Sequence, residues 1–279
     1  MNTRRVRDIV ALTSVAVATL AGCAPSPAPT SPTPTPTQST PTPQEYELEV
    51  FWASNQPTDI RLASETVTIS TTTTPLDVVL SQIVDGTLQP ADPDYVNLWG
   101  SGSQLTSLAI DGSLATIDVA EPKLNVGAIG EFRALQQLMF TVAAAEPDVT
   151  EFSFLVNGQT VETLAGHIDL TTPLTTGDPN EALLAVQIDS PSEDAAASNP
   201  VTVRGEACVF EANVAWELTQ GGSTIDSGST MAAEACPTRS EWTLELGELE
   251  PGDYVIVVRE ISAKDGSVVT EDSTRFTVQ

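Results

Sequence analysis

The chain has 279 residues, of which 41% are hydrophobic, and its 38 acidic residues against 11 Lys and Arg give a formal net charge of −27. Such a charge argues against binding nucleic acid or anionic lipid, because both are bound through positive side chains. It favours solubility and cationic partners, although a solvated acidic surface is a simpler interpretation than a specific cation site.

Residues 1–22 have the parts of a secretory signal peptide: a basic start and an apolar stretch from Ile9 to Leu20. The stretch is shorter than the roughly 20 residues that span a bilayer, so it predicts a cleaved signal. The basic residues are Arg4, Arg5 and Arg7. Their adjacent pair leaves twin-arginine export open, but the charges at positions 7 and 8 favour the general secretory route.

The signal ends in Leu20-Ala21-Gly22-Cys23. This tetrapeptide resembles the lipobox of bacterial lipoproteins, which implies cleavage before Cys23 and a diacylglyceryl thioether, palmitate-type lipid, on its sulfur. An ordinary signal peptide with an incidental Cys is the alternative. Two acyl chains anchor stably, at roughly 0.8 kcal/mol per buried CH₂. We therefore expect a lipid-anchored protein on the extracytoplasmic face of the cell membrane, with no other cofactor.

Residues 23–45 form a Pro- and Thr-rich linker. With almost no apolar side chains it cannot bury a core, and we expect it to be disordered or in polyproline II. At about 3.1 Å per residue, its 21 residues from Ala24 to Gln44 would make a stalk of roughly 65 Å. Its hydroxyls are candidate positions for O-glycosylation.

Residues 46–176 mix strand and helix signals. Alternation predicts a strand from Tyr46 to Trp52. Thr74 as N-cap and Pro75 at the first helical position predict a helix start, and Gly86 its end. The apolar stripe of this helix is Leu76, Val79, Leu80, Ile83 and Val84.

The rest of this domain contains two hairpins and a second helix. Asp111-Gly112 lies between the strands 105–110 and 114–119, and Asn157-Gly158 forms the second turn. The helix between them ends near Pro147, with Ile129, Phe132, Leu135, Met139 and Val142 as its apolar stripe. The order β-α-β-β-α-β-β predicts an α/β domain in which two helices cover one face of a small sheet.

This order resembles the GerMN domain of bacterial sporulation and germination lipoproteins. The residues that carry the resemblance are the run TTTTPLDVVLSQIVDG, the hairpin LTSLAIDGSLATIDVAE, the helix GEFRALQQLMFTVAAAEPDV and the closing FSFLVNGQ. GerMN domains are similar to ring-building motifs that pack laterally in envelope assemblies, so the resemblance implies interaction rather than catalysis. It does not itself imply a role in spores.

Residues 180–279 show only strand signals, after a turn-rich segment, 175–180, that is a natural hinge. Seven short strands predict an immunoglobulin-like β-sandwich. They are Leu183–Ile188, Val201–Val209, Asn213–Leu218, Thr224–Met231, Trp242–Leu246, Asp253–Arg259 and Val268–Val278. Trp216 and Trp242 are expected in its core.

Cys208 and Cys236 remain once Cys23 is assigned to lipid. An even pair in an extracellular domain predicts a disulfide, with two free thiols as the alternative. Their positions differ from the Cys pair of antibody domains.

The second domain resembles the immunoglobulin-like domain of bacterial spore germination, a frequent C-terminal partner of GerMN. The resemblance rests on NPVTVRGEACVFEANVAWEL, PGDYVIVVRE and SAKDGSVVTEDSTRFTV.

Catalytic patterns are weak. The chain has a single histidine, His167, and no serine lies in a G-x-S-x-G motif. Too few other His and Cys residues remain to form a zinc site. His167 is therefore interpreted as structural or exposed. The pairs Asp92/Asp94 and Glu193/Asp194 are expected by chance in so acidic a chain. Asp92-Pro93-Asp94 could help hold calcium, but a solvated turn is favoured. The flexible segment 100–103 lacks the P-loop Lys.

The leading hypothesis is a non-catalytic interaction or assembly module of the bacterial envelope. The expected partners are the membrane, through the lipid, and an envelope protein or a second copy; nucleic acid is not expected. A lipoprotein that binds cell-wall polymer or a small ligand is the alternative, and a hydrolase is a remote one. The sequence assigns no binding, metal or catalytic residue.

Overall fold

The computed structural model describes residues 41–56, 59–124, 126, 128–164 and 166–279, except the side chains of residues 55, 128 and 129. The predictions for the signal peptide, for Cys23 and for the linker up to residue 40 lie outside the described residues. Residues 41–279 form one compact unit. Within the described part of the chain, no helix is long and apolar enough to cross a membrane.

The described residues of the first domain form two helices and seven strands. In chain order they are β1 Gln44–Asn55, β2 Ile60–Thr71, α1 Pro75–Val84, β3 Tyr95–Val96, β4 Gln104–Asp111, β5 Leu114–Ala120, α2 Ala128–Ala145, β6 Glu151–Val156 and β7 Gln159–Thr160. The strands form two sheets, ordered β2-β1-β3 and β4-β5-β6-β7. The predicted α/β class of this domain is therefore confirmed, although its strands are divided between two sheets instead of one. Strand β2 was not predicted, because Ser64 and Glu65 interrupt its apolar alternation.

Local signals place these elements as predicted, with small shifts. Helix α1 begins at Pro75, although the Thr74 side chain makes no capping hydrogen bond. In the first hairpin Asp111 pairs with Leu114, so the turn is formed by Gly112 and Ser113, one residue later than predicted. Gly112 has φ of +60°, which a type II′ turn requires at its first central position.

The core of this domain lies between α2 and β1. The rings of Phe51 and Phe140 are 5.3 Å apart, at a tilted angle. Thr141 accepts a hydrogen bond from the Phe51 main-chain N–H at 3.2 Å. The predicted α2 residues Leu135, Met139 and Val142 are fully buried, which places this stripe in the core.

The second domain is a β-sandwich, which confirms the predicted all-β class. Its elements are the short helix α3 Pro179–Ala182 and the strands β8 Val186–Ser190, β9 Ala195–Ala197, β10 Val201–Ala207, β11 Asn213–Gln220, β12 Ser223–Met231, β13 Ser240–Gly247, β14 Gly252–Ile261 and β15 Val268–Val278. The two sheets are ordered β13-β10-β8 and β12-β11-β14-β15-β9. Helix α3 and strand β9 were not predicted, because both are only three or four residues long.

The two predicted core tryptophans differ. Trp242 is 1% exposed, whereas Trp216 is partly buried and packs against the core from its margin. Near the end of β10, Cys208 forms a disulfide with Cys236, with their Cα atoms 4.5 Å apart. The bond ties the chain after β10 to the loop before β13.

The segment between the domains, which the sequence predicts as a hinge, is hydrogen-bonded to the first domain. Asp178 caps α3 by accepting a hydrogen bond from the Asn180 N–H at 2.9 Å. Arg61 of β2 donates to the Asn180 carbonyl at 2.9 Å, and Gln136 of α2 donates to the Thr176 carbonyl at 2.6 Å. The connection therefore belongs to the interface between the two domains.

Candidate functional site

The interface between the domains is built on β2. The Leu184 N–H donates to the Leu62 carbonyl at 2.7 Å, so the second domain begins by pairing with this strand. Gln187 of β8 then contacts Ser64, accepting from its N–H at 2.9 Å and donating to its carbonyl at 3.2 Å. Beyond Ser64 the two domains separate, and a groove opens between them.

At the closed end of the interface lies a buried carboxyl group, Asp272 of β15. One oxygen accepts from the Tyr95 hydroxyl and the other from the Ile188 N–H, both at 2.7 Å. Asp272 is 2% exposed. Burial raises the pKa of Asp272 to about 8, so at neutral pH this carboxyl group is mostly protonated.

Asp92 lies beside it, in the loop before β3. It is 6% exposed and accepts from the Asp94 N–H at 2.8 Å. Burial, together with the negative charges of Asp94, Glu193 and Glu65, raises the pKa of Asp92 to about 7. The expectation of a solvated turn was therefore wrong for Asp92, although Asp94 is exposed.

Three carboxyl groups meet at this point. Oxygens of Asp92, Asp94 and Asp272 lie within 4.8 Å of one another. Carboxylates so close either retain a proton or share a cation, because two bare charges at this spacing repel. Each of the three could offer one oxygen to a metal ion, fewer than the about six to eight that Ca²⁺ takes.

Two glutamates flank the cluster. Glu65 of β2 accepts from the N–H groups of Ala91 and Asp92 at 3.0 and 2.8 Å, and burial raises the pKa of its carboxyl group. Glu193 pairs with Arg275 at 2.6 Å, and Asp194 lies 3.4 Å from the same guanidinium. The predicted pair Glu193/Asp194 is thus held by Arg275.

The open end of the interface is a groove of about 490 Å³ along β2, within the size range of ligand sites. Its floor is partly apolar. Its charged lining is strongly acidic, with five carboxyl groups and one guanidinium: Glu49, Glu65, Asp189, Glu193, Glu206 and Arg239. The groove therefore carries a local excess of negative charge.

The remaining candidate residues are structural. Glu131, which is 1% exposed, lies 2.8 Å from Nδ1 of His167 and also accepts from its main-chain N–H. In the segment 100–103, the Ser103 hydroxyl is buried, donates to the Gly100 carbonyl and accepts from the Lys123 N–H. Neither feature forms part of the interface.

Sequence reasoning missed the central residue, Asp272. A signal for it exists in β15, where Thr270, Asp272 and Thr274 alternate with exposed neighbours and share one face with Phe276 and Val278. A polar run on the inward face of a strand indicates a buried polar contact. The partner Tyr95, 177 residues away, could not be read from that pattern.

Comparison with known families identifies both domains. Residues 49–162 match the family described as sporulation and spore germination. Residues 185–267 match the immunoglobulin-like domain of bacterial spore germination. The chain therefore contains a GerMN domain followed by this immunoglobulin-like domain, which confirms both resemblances.

Several solved structures are similar. The tandem GerMN domains of the sporulation protein GerM from Bacillus subtilis are 16% identical, with a TM-score of 0.37, over 50% of this chain and 49% of that one. This chain thus spans about half the length of the tandem structure. The first GerMN domain of GerM is 13% identical, with a TM-score of 0.39, over 48% of this chain and 99% of that one.

A putative lipoprotein from Clostridium perfringens is 16% identical, with a TM-score of 0.32, over 51% of this chain and 94% of that one. Among curated proteins, none matches the chain significantly.

Proposed function

We propose that the chain is a membrane-anchored lipoprotein of the bacterial cell envelope and acts there as a non-catalytic module for protein assembly. The observation that carries this proposal is the union of two germination-type domains in one compact unit, with a buried Tyr95–Asp272 hydrogen bond between them. Domains joined in this way offer a partner one composite surface.

The N-terminal sequence supplies the anchor in this proposal. The lipobox-like Leu20-Ala21-Gly22-Cys23 would place two acyl chains in the membrane, and the Pro- and Thr-rich residues that follow would hold the folded unit away from it. The assembly surface would then stand at a fixed range of heights above the bilayer.

Two features of the described residues support a role without catalysis. His167 makes hydrogen bonds to a buried glutamate of its own domain, and Glu193 is held by Arg275. The Glu193 carboxylate is therefore engaged in an ion pair. Among the described residues, no serine or cysteine side chain hydrogen-bonds to the His167 ring, as a nucleophile activated by a general base would.

Metabolic labelling with an alkyne fatty acid, followed by membrane fractionation, tests the anchor. The wild-type chain should carry the label and sediment with membranes, and Cys23→Ser should lose both properties. The double variant Cys208→Ala/Cys236→Ala is the matched control and should keep the label. A label that persists in Cys23→Ser would refute lipidation at this residue.

The groove favours a second candidate function, the binding of cell-wall polymer or a small ligand, because its volume of about 490 Å³ suits such a ligand. Co-sedimentation of the purified chain with peptidoglycan distinguishes the two. Binding that persists at high salt would favour the polymer, whereas an assembly module should remain in the supernatant.

A further inference from the structure

The groove exposes the free edge of a β-sheet. Strand β2 is the outer strand of the sheet β2-β1-β3. Because main-chain groups alternate in direction along a strand, the outward contacts of Leu62 and Ser64 fix the direction of those that follow. The N–H and C=O groups of Thr66, Thr68 and Ser70 therefore point away from β1. Among the described residues, none hydrogen-bonds to them.

The second domain already acts as a partial strand partner at the start of this edge. Leu184 donates to Leu62, and the amide of Gln187 satisfies both main-chain groups of Ser64 in the way that a paired strand would. Past this point no chain continues the pairing. The unpaired edge from Thr66 to Ser70 is long enough to pair with one short β-strand.

The edge also lacks the features that usually block strand addition. Between Thr66 and Thr71 the sequence is TVTIST, which contains no charged residue and no proline. Edge strands are normally protected by lysine, proline or a bulge. Residues 66–71 pair with β1 without a register shift, so the edge is regular as well as uncharged.

The charge of the groove limits what can bind. Glu49 of β1, Asp189 of β8 and Glu206 of β10 line it, and Arg239 is the only cation among the described residues of its lining. An extended segment laid along β2 would place alternate side chains toward these carboxylates. Lysine and arginine suit those positions, whereas acidic side chains would be repelled.

We propose that the free edge of β2 binds an extended, basic segment of a partner protein by β-strand addition. Main-chain hydrogen bonds to Thr66, Thr68 and Ser70 supply the pairing, and the groove carboxylates select lysine- or arginine-rich segments. This inference rests on the proposed assembly function and names the chemistry of its partner.

Two other occupants fit less well. The chain's own residues 24–44 contain no Lys or Arg and many prolines, and proline has no N–H to donate. A second copy carries the same formal charge of −27, which opposes close approach of two such grooves.

The test uses the purified full chain in detergent and a fluorescent eight-residue peptide that alternates lysine and threonine. Anisotropy should report binding, and a glutamate–threonine peptide should not bind. The variant Glu49→Gln/Glu206→Gln should weaken binding roughly five- to ten-fold. Its control, Glu146→Gln/Glu248→Gln, removes the same charge from exposed positions outside the groove lining and away from the strand that pairs with residues 66–71, and should change binding less than about two-fold.

A second readout tests the main-chain pairing. Peptide binding should slow amide hydrogen exchange at Thr66 and Thr68, and N-methylation of alternate peptide residues should weaken binding about ten-fold or more. Equal losses in the two glutamate variants, or binding with unchanged exchange at these amides, would overturn the proposal. So would a dimer that protects the edge without peptide. None of these results depends on lipid labelling of Cys23. The proposal of a lipid anchor and the proposal of strand addition can therefore be refuted independently of each other.

Discussion

The two ends of the domain interface handle their polar groups in opposite ways. At the closed end, both oxygens of the buried Asp272 have hydrogen-bond donors, from Tyr95 and from the Ile188 main chain. At the open end, the outward main-chain groups of β2 beyond Ser64 have no partner among the described residues. One strand, β8, contributes to both ends, through Ile188 and Gln187.

The difference separates two tasks. A buried polar group without a partner costs free energy, so the satisfied closed end fixes how the domains meet. Unpaired edge groups in contact with water carry no such cost, and they remain available to another chain. The interface thus combines a closed end that holds the two domains together with an open end that can bind another chain.

The largest expected effect is a pH dependence of the closed end. In the unfolded chain the carboxyls of Asp92 and Asp272 titrate near pH 4, whereas their folded pKa values are about 7 and about 8. Between these limits the folded chain binds more protons, so the free energy of unfolding should fall as pH rises. The contribution is fully present below about pH 4 and lost by about pH 9.

Urea unfolding between pH 5.5 and 9 checks this prediction. The loss should amount to several kcal/mol, at roughly 1.4 kcal/mol per pKa unit. Asp272→Asn, which mimics the protonated acid, should flatten the profile, while the exposed control Asp148→Asn should not. A stability that rises with pH over this range would contradict the assignment.

Proline substitution distinguishes the paired and unpaired sides of β2. Val67→Pro removes an N–H that points toward β1 and should cost about 3 kcal/mol or more. Thr66→Pro removes an outward N–H and should cost about 1 kcal/mol or less, as expected at an edge. Thermal unfolding measures both, and equal costs would mean that the edge is not free.

Removing one donor from Asp272 should have a moderate effect. Tyr95→Phe leaves a buried carboxyl oxygen without its hydrogen bond and should cost about 1–2 kcal/mol. Tyr46→Phe is the matched control, because the Tyr46 hydroxyl bonds only to the exposed Gln44 side chain and should cost under about 0.5 kcal/mol. Denaturant midpoints at pH 6 compare the two variants. A similar loss of stability in both would mean that the Tyr95–Asp272 hydrogen bond contributes little to the stability of the chain.

The smallest effect on stability is expected at Gln187, which lies between the closed and open ends of the domain interface. Gln187→Ala removes the amide that pairs with Ser64 and should cost about 1 kcal/mol. It should also speed amide exchange at Ser64. The control is Gln89→Ala. Gln89 lines the same groove, but its amide donates a hydrogen bond to the Gly86 carbonyl and not to Ser64, so this variant should leave amide exchange at Ser64 unchanged. Faster exchange in both variants would point to general loosening of the groove.

Much of the fold could be predicted from local signals. Pro75 marks the start of α1, and Asn157-Gly158 marks the second hairpin turn, with φ of 53° and 74° at its two positions. Seven of the eight sandwich strands were found from alternation and turn residues alone. These features succeed because residues a few positions apart determine them.

The missing parts depend on residues distant in the chain. Strand β2 places Ser64 and Glu65 against groups at Gln187 and Asp92, so its polar residues broke the apolar pattern. Asp272 finds Tyr95 only after both domains have folded. The groove is likewise formed by two domains, and no single segment of sequence contains it.

The most direct test of the central claim is photo-crosslinking in intact cells from a photoreactive amino acid at Thr68. The account predicts capture of an envelope protein through a lysine- or arginine-rich segment identified by mass spectrometry. The same probe at Ser227, on the edge strand β12 of the second domain, should not capture that segment, and Cys23→Ser should abolish the capture. Equal capture from both edges, or capture through an acidic segment or a second copy, would contradict the account.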